Sequence, residues 1–138
     1  ALECHVTSTL NSATSVRRIV EATQSPWIKV NMDPVNFIND IRSAHHTTDL
    51  VNELFDVLGP YVAAAHIKDV YVEDRHVVHI SETILGDGIF DFDTFFRRFE
   101  ALLPKGYGFI EHLPESQIPQ ANVFVVYKLN QLKIPILT

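Results

Sequence analysis

Apolar positions recur along this chain in two rhythms, one near 3.6 residues and one of short continuous runs. Val16, Ile19 and Val20 stand three and four residues apart with Arg17 and Arg18 on the outside, which predicts a helix from about Ala13 to Thr23, capped by Ser12 or Thr14. Ser25-Pro26 closes it, because the residue before a proline disfavours helical geometry. Leu50, Val51, Leu54, Phe55 and Leu58 repeat the stripe and predict a helix over Asp49 to Leu58, capped by Thr47 or Thr48 and stopped by Gly59-Pro60. Phe92, Phe95, Phe96 and Phe99 mark a third helix, about Phe92 to Leu103, capped by Asp91 or Asp93. An aromatic stripe of this kind is a core face. A long helix over about Gln117 to Leu132 follows, with Pro119 in its first turn, where the missing N–H costs little. The apolar tail Ile134 to Thr138 must dock or fray.

Short apolar runs separate these helices. Leu2 to Val6 reads as the end of a strand, Trp27 to Met32 as a strand finishing at Asp33, Tyr61 to Ile67 as a buried strand, and Tyr107 to Ile110 as the last strand, finishing at Glu111-His112. A polar loop follows the first strand from Thr7 to Ser12, and Asp33 to Asn36 is a turn that leads into a weakly patterned connection through His45 and His46. Between Val70 and Ile80 the pattern changes to alternation around Glu73-Asp74-Arg75-His76, which predicts a hairpin-like excursion. Leu85-Gly86-Asp87-Gly88 is a glycine-punctuated turn. Strands alternating with helices of 10 to 15 residues predict βα units and a parallel sheet. The expected fold class is α/β, about four βα units in one domain spanning residues 1–138.

Composition narrows the partners. The 138 residues carry a formal charge of −6 and a pI near 5.5, with scattered Lys and Arg, which argues against a nucleic-acid backbone as partner. With 46% hydrophobic and 20% charged residues the composition is that of a globular domain, and no apolar run approaches the ~20 residues of a membrane span. A single cysteine, Cys4, excludes an intrachain disulfide and fits a reducing, cytoplasmic setting; no signal segment opens the chain. The sequence begins abruptly, at what already reads as a strand end.

The four strands end on Glu3, Asp33, His66 and Glu111. Glu3 to Asp33 is 30 residues, Asp33 to His66 is 33, and His66 to Glu111 is 45. One βαβ unit takes about 30 residues, so the first two spacings are one unit each and the third is one unit plus the excursion. Right-handed crossovers bring the carboxyl ends of parallel strands to one rim. Each residue alone has a plain structural reading: Glu3 a solvated acid, Asp33 a turn former, His66 a core histidine, Glu111 an acid at a helix start. Recurrence at one position of four successive units favours a shared site. Three carboxylates and an imidazole suit a divalent cation, Mn²⁺, Mg²⁺ or Co²⁺, with Zn²⁺ less diagnostic in the absence of thiolates.

Glu3-Cys4-His5, Asn31-Met32-Asp33-Pro34-Val35-Asn36, His66-Ile67-Lys68-Asp69, Leu85-Gly86-Asp87-Gly88 with Asp91, and Ile110-Glu111-His112 together resemble the later half of the xylose-isomerase-like TIM barrels. This is the sugar phosphate isomerase/epimerase group, which includes ketose 3-epimerases and inosose dehydratases. The resemblance runs in order through essentially the whole chain. It implies that Glu3, Asp33, His66 and Glu111 hold one divalent metal, and that Glu3 and Glu111 move protons as an acid/base pair beside a substrate carbonyl. His5, Asn36, Lys68 and Arg75 are the substrate-contact candidates. Lys68 would hold an oxyanion or the carboxylates, unless it simply pairs with Asp69, and Arg75 reads equally as part of a solvated turn. One departure is Asn36, where many ketose epimerases carry histidine. The other is that four βα units make half of an eight-stranded barrel and leave two sheet edges. The expectation is a fragment of a longer chain lacking the first four units, or a half-barrel completed by another copy. The implied substrate is a small sugar or cyclitol. The competing readings are an inosose dehydratase-type lyase, a metal-dependent abasic-site endonuclease, and a metal-free barrel remnant that acts as an interaction domain.

Overall fold

The structure, a computed structural model, describes residues 1–137. Three strands, β1 (Val30–Met32), β2 (Val62–Ile67) and β5 (Tyr107–Ile110), form a parallel sheet in the order β1-β2-β5. Leu2 adds a parallel bridge to Val30, with Leu2 N–H donating to Lys29 O and Asn31 N–H to Leu2 O. Four successive chain segments therefore lie side by side in sequence order, as four βα units of a barrel require. Thr138 lies outside the described residues, so the expectation for the apolar tail holds only for Ile134 to Leu137, which line an apolar cleft with Phe99, Val125 and Leu129.

Helices α1 (Ala13–Thr23), α3 (Thr47–Leu58), α4 (Phe92–Leu102) and α5 (Ile118–Leu132) cover one face of the sheet, each packed on the next. Val16, Val20, Val51, Leu54, Leu58 and Phe95 meet Val30, Met32, Ala65 and Ile67 in a single core. Ala64 and His66 in β2, with Lys68 just past its end, face the other way, as do Tyr107 and Phe109 in β5 with Glu111 just past it, because Ala64 pairs with Tyr107 and His66 with Phe109. That second face is the concave inside of the half-barrel. Tyr107 is 72% and Phe109 53% exposed there, and β5 forms a sheet edge.

Several sequence expectations shift, each for a local reason. The strand over Leu2 to Val6 shortens to one bridge, since Ser8 N–H and Ser8 Oγ both donate to His5 O and draw the chain into a turn. The strand from Trp27 shortens to Val30–Met32, because Trp27 N–H donates to Ser25 Oγ in the turn around Pro26 and leaves the indole exposed. The weakly patterned connection contains a short helix, α2 (Ile41–His45), held by reciprocal bonds between Asp40 and Ser43. Helix α3 starts at Thr47 without a side-chain cap, because its threonines serve the next unit instead: Thr47 Oγ1 accepts from Asp91 N–H, and Thr48 Oγ1 donates to Asp91 Oδ2 at 2.5 Å. Asp91 caps α4. The excursion is an antiparallel pair, β3 (Asp69–Val72) and β4 (Ile80–Thr83), joined by a wider turn than expected, with Glu73 N–H donating to His79 O. No helix among the described residues is long and apolar enough to cross a membrane.

Candidate metal centre

The inward face of the sheet alternates with the core face, so each strand can send its last inward residue to the rim. Asp33 follows β1 directly, His66 is the last inward residue within β2, and Glu111 follows β5. Glu3 comes one residue after the Leu2 bridge. One ligand-type atom from each of Glu3, Asp33, His66 and Glu111 lies within 4.8 Å of all the others. His66 Nδ1 is at the centre, 3.0 Å from Glu111 Oε2, 3.5 Å from Asp33 Oδ2 and 3.6 Å from Glu3 Oε1. The His66 and Phe109 rings stand nearly perpendicular, with centroids 6.4 Å apart.

Lys68, two residues past His66 and on the same face, has its side chain 1% exposed. Its Nζ lies 2.7 Å from Glu111 Oε2, 2.9 Å from Asp33 Oδ2 and 3.8 Å from Glu82 Oε1, and donates to Asn36 Oδ1 at 3.1 Å. The other end of that amide, Asn36 Nδ2, donates to Glu3 Oε1 at 3.2 Å, and Asn36 N–H donates to Asp33 Oδ1. Asn36 is buried, with both ends of its amide engaged by the cluster. Asp33 Oδ2 and Glu111 Oε2 are within ion-pair distance of the ammonium, but the angles do not make directed hydrogen bonds. Asp33 Oδ2, His66 Nδ1 and Glu111 Oε2 are all buried without a hydrogen-bond partner. Buried polar atoms are nearly always paired, so three orphans facing one point fit a cation held by oxygens and one imidazole nitrogen.

The electrostatics follow the burial. Burial pushes the Asp33 carboxyl above its ordinary range, against the opposing pull of Lys68, Asn36 N–H and His66. Glu111 is less buried. Burial works to raise it, but the Lys68 ammonium 2.7 Å from Oε2, with His66 and His112, holds it below its ordinary range. Lys68 is raised, since Glu111 and Asp33 outweigh the effect of burial. Burial, with Glu3 and Asp33 nearby, pushes the Cys4 thiol up to about 11, which keeps it protonated and unreactive.

The remaining candidates stand apart. His5 Nδ1 bonds to Thr7 Oγ1 and accepts from Thr7 N–H, and Arg75 Nε pairs with Glu73 Oε2 at 2.6 Å in the exposed turn of the excursion. Neither contacts the four-residue cluster through a hydrogen bond or ion pair among the described residues. The proposed Lys68-Asp69 pair does not form. Neighbouring strand residues face opposite sides, and Asp69 instead accepts from Val70, Gly86, Gly88 and Phe90 N–H. The sequence reading missed Glu82, whose carboxylate reaches Lys68 and both of whose oxygens lie about 3 Å from His112 Nδ1. The left-handed backbone of His112 (φ 59°) turns the chain after β5. Glu82 pairs with Val70 across the hairpin, which puts it beside the strand end that carries Lys68, a register that the sequence pattern did not specify.

Residues 1–123 match the family described as Xylose isomerase-like TIM barrel. Among solved structures, the fold is similar to a xylose isomerase domain protein from Planctomyces limnophilus, with TM-score 0.72 and 19% identity over 96% of this chain and 45% of that one. It is similar also to a xylose isomerase-like TIM barrel protein from Mycobacterium smegmatis in complex with magnesium, with TM-score 0.71 and 16% identity over 95% and 42%. A third is the probable 3-DHS dehydratase AsbF, involved in petrobactin synthesis, from Bacillus anthracis, with TM-score 0.68 and 16% identity over 94% and 48%. The chain spans a little under half the length of these solved proteins. No curated protein matches the sequence.

Proposed function

The chain belongs to the xylose isomerase-like TIM barrel family, and on that premise we propose that it forms the metal-binding half of a divalent-metal-dependent sugar isomerase or epimerase. The observation that carries this reading is the convergence of Glu3, Asp33, His66 and Glu111 at four successive strand ends, with three of their buried atoms left without a hydrogen bond. These four residues would hold the ion, which when bound supplies Lewis-acid polarisation of a carbonyl. Mg²⁺, Mn²⁺ and Co²⁺ suit three carboxylates and one imidazole better than a thiolate-seeking metal would.

The proton chemistry belongs to the two glutamates. Glu111, held below its ordinary range beside Lys68, is ionised near neutral pH and can take the proton from the carbon next to the substrate carbonyl at a carboxylate oxygen. Glu3, on the far segment of the sheet, is steadied by Asn36 Nδ2 at one oxygen. Proton return from the opposite glutamate inverts the carbon and gives epimerisation, while return to the neighbouring carbon gives isomerisation. With the same base, departure of a protonated hydroxyl as water from the carbon β to the carbonyl, on the far side of the deprotonated carbon, gives a dehydratase instead. Lys68 and Asn36 orient the carboxylates, and the exposed Phe109 and Tyr107 offer an apolar wall to a sugar or cyclitol. In this reading the protein acts in the cytoplasm as one barrel domain, and the open edge at β5 is covered by four further βα units or by a second copy.

The test is metal analysis of the purified protein, followed by incubation with ketoses, their phosphates and inosose derivatives in D₂O. Metal-dependent deuterium incorporation beside the carbonyl is the expected result, and appearance of an ultraviolet-absorbing dehydrated product distinguishes the lyase. Exchange that survives chelation, or cleavage of abasic-site duplex at low enzyme, contradicts the proposal.

A further inference from the structure

Two of the four ligand-type atoms, Asp33 Oδ2 and Glu111 Oε2, already have a cation beside them, the Lys68 ammonium at 2.9 and 2.7 Å. We propose that Lys68 is a built-in counter-ion: it holds the carboxylate cluster together when no metal is bound, and it opposes the incoming metal, so that the two cations compete energetically for the same oxygens. This rests on the metal reading above.

Glu3, Asp33 and Glu111 bring three carboxylates to one spot, and Glu82 stands behind them at 3.8 Å from Nζ. Like charges this close, on buried or half-buried groups, repel strongly unless a positive charge is among them. Among the described residues, Lys68 is the lysine or arginine that pairs with this cluster. With its side chain 1% exposed it has no water shell, so the carboxylates and Asn36 Oδ1 are its solvation. Neither ligand oxygen is held in a directed hydrogen bond by Lys68, which leaves their lone pairs free to turn toward an ion. A divalent ion bound to those two oxygens would lie a few ångströms from a fixed positive charge. Asn36 does the opposite job. It positions Glu3 and Lys68 through a neutral amide and adds no repulsion. Steric support and charge are thus divided between two side chains, and the charge can be removed separately.

Lys68→Met keeps the length and removes the cation. Melted in EDTA, the variant should lose about 10 °C or more relative to the wild type, because removing one partner leaves buried carboxylates uncompensated. With saturating Mn²⁺ it should recover most of that loss, so its metal-induced rise exceeds that of the wild type. Calorimetric titration should show Mn²⁺ bound at least tenfold more tightly per folded molecule. A variant that folds only with Mn²⁺ supports the proposal. An equal metal-induced rise in both proteins, or weaker binding by the variant, overturns it and leaves the metal site standing. Absence of Mn²⁺ binding to the wild type overturns both. Should the variant not fold under either condition, the wild type supplies the second measurement. Titration with diamagnetic Mg²⁺, followed through the lysine Nζ resonances, should shift one protected ammonium signal in step with binding. An unmoved signal overturns the proposal.

Discussion

Asp33 and Asp69 are both 1% exposed, and burial raises the carboxyl of each above its ordinary range. They differ in what meets their oxygens. Asp69 accepts four backbone N–H groups, from Val70, Gly86, Gly88 and Phe90, at 2.8 to 3.1 Å, and neither of its oxygens is left over. Asp33 accepts one, from Asn36, and its Oδ2 is orphaned toward His66 and Lys68. Burial and titration behaviour do not separate a structural aspartate from a ligand. The bookkeeping of lone pairs does: an oxygen satisfied by the backbone ties down a loop, while one that only cations approach is available to bind.

The sharpest way to break this contrast is Asp69→Ala. Four backbone donors, those of Val70 and Phe90 buried, would lose their acceptor together, which should cost about 3 kcal/mol or more in urea unfolding and collapse the Leu85 to Phe90 loop. Asp33→Asn should behave oppositely in metal-free protein. It removes one of the two carboxylates beside the Lys68 ammonium and leaves Glu111 as its counter-ion, so the unfolding free energy in EDTA should change by about 1 kcal/mol or less, while Mn²⁺ affinity falls at least about tenfold. Equal stability losses in the two variants would erase the distinction. A smaller effect is expected from Gly88→Ala. Its Cβ would fall 2.3 Å from Val70 O and closer still to Asp69 Oδ1, so the loop must shift at a cost of about 1–3 kcal/mol, with one metal still bound per chain.

The smallest effect expected is at Asp91. Burial acts to raise its carboxyl, but the Thr48 and Thr94 hydroxyls and the Thr94 and Asp93 N–H groups outweigh it and hold the pKa below its ordinary 3.8. A lowered folded value means that the contribution is present above pH 3.8 and lost as pH falls through the folded value. Asp91→Ala should therefore cost about 1 kcal/mol at pH 7, as the loss of a helix cap does, and the gap to the wild type should close on acidification. Chemical unfolding at a series of pH values checks it.

The convergence of Glu3, Asp33, His66 and Glu111 was legible in the sequence because barrel geometry makes strand ends equivalent: once Asp33, His66 and Glu111 are placed at successive strand ends, parallel pairing brings them together. The aromatic stripe of α4 and the strand Tyr107 to Ile110 were legible for a different reason, since periodicity is a local property. The partners of polar side chains were not. Thr47 and Thr48 look like caps for their own helix, yet their hydroxyls bond to Asp91, which lies more than forty residues on. Lys68 and Asp69 look like an ion pair in sequence, but strand alternation sends them to opposite faces, and Glu82 reaches Lys68 only because the hairpin folds back over the rim. Polar pairing across units is decided by three-dimensional packing, and no window of sequence contains it.

The central claim is that Glu3, Asp33, His66 and Glu111 together hold one divalent ion. Its most direct test is calorimetric titration of the chelator-stripped protein with Mn²⁺, in parallel with His66→Ala and Glu111→Gln, each checked for folding by circular dichroism. The account predicts one ion per chain in the wild type and a loss of at least about tenfold in affinity in both variants. Wild-type protein that binds no ion, or variants that are folded and bind it as tightly as the wild type, would contradict it.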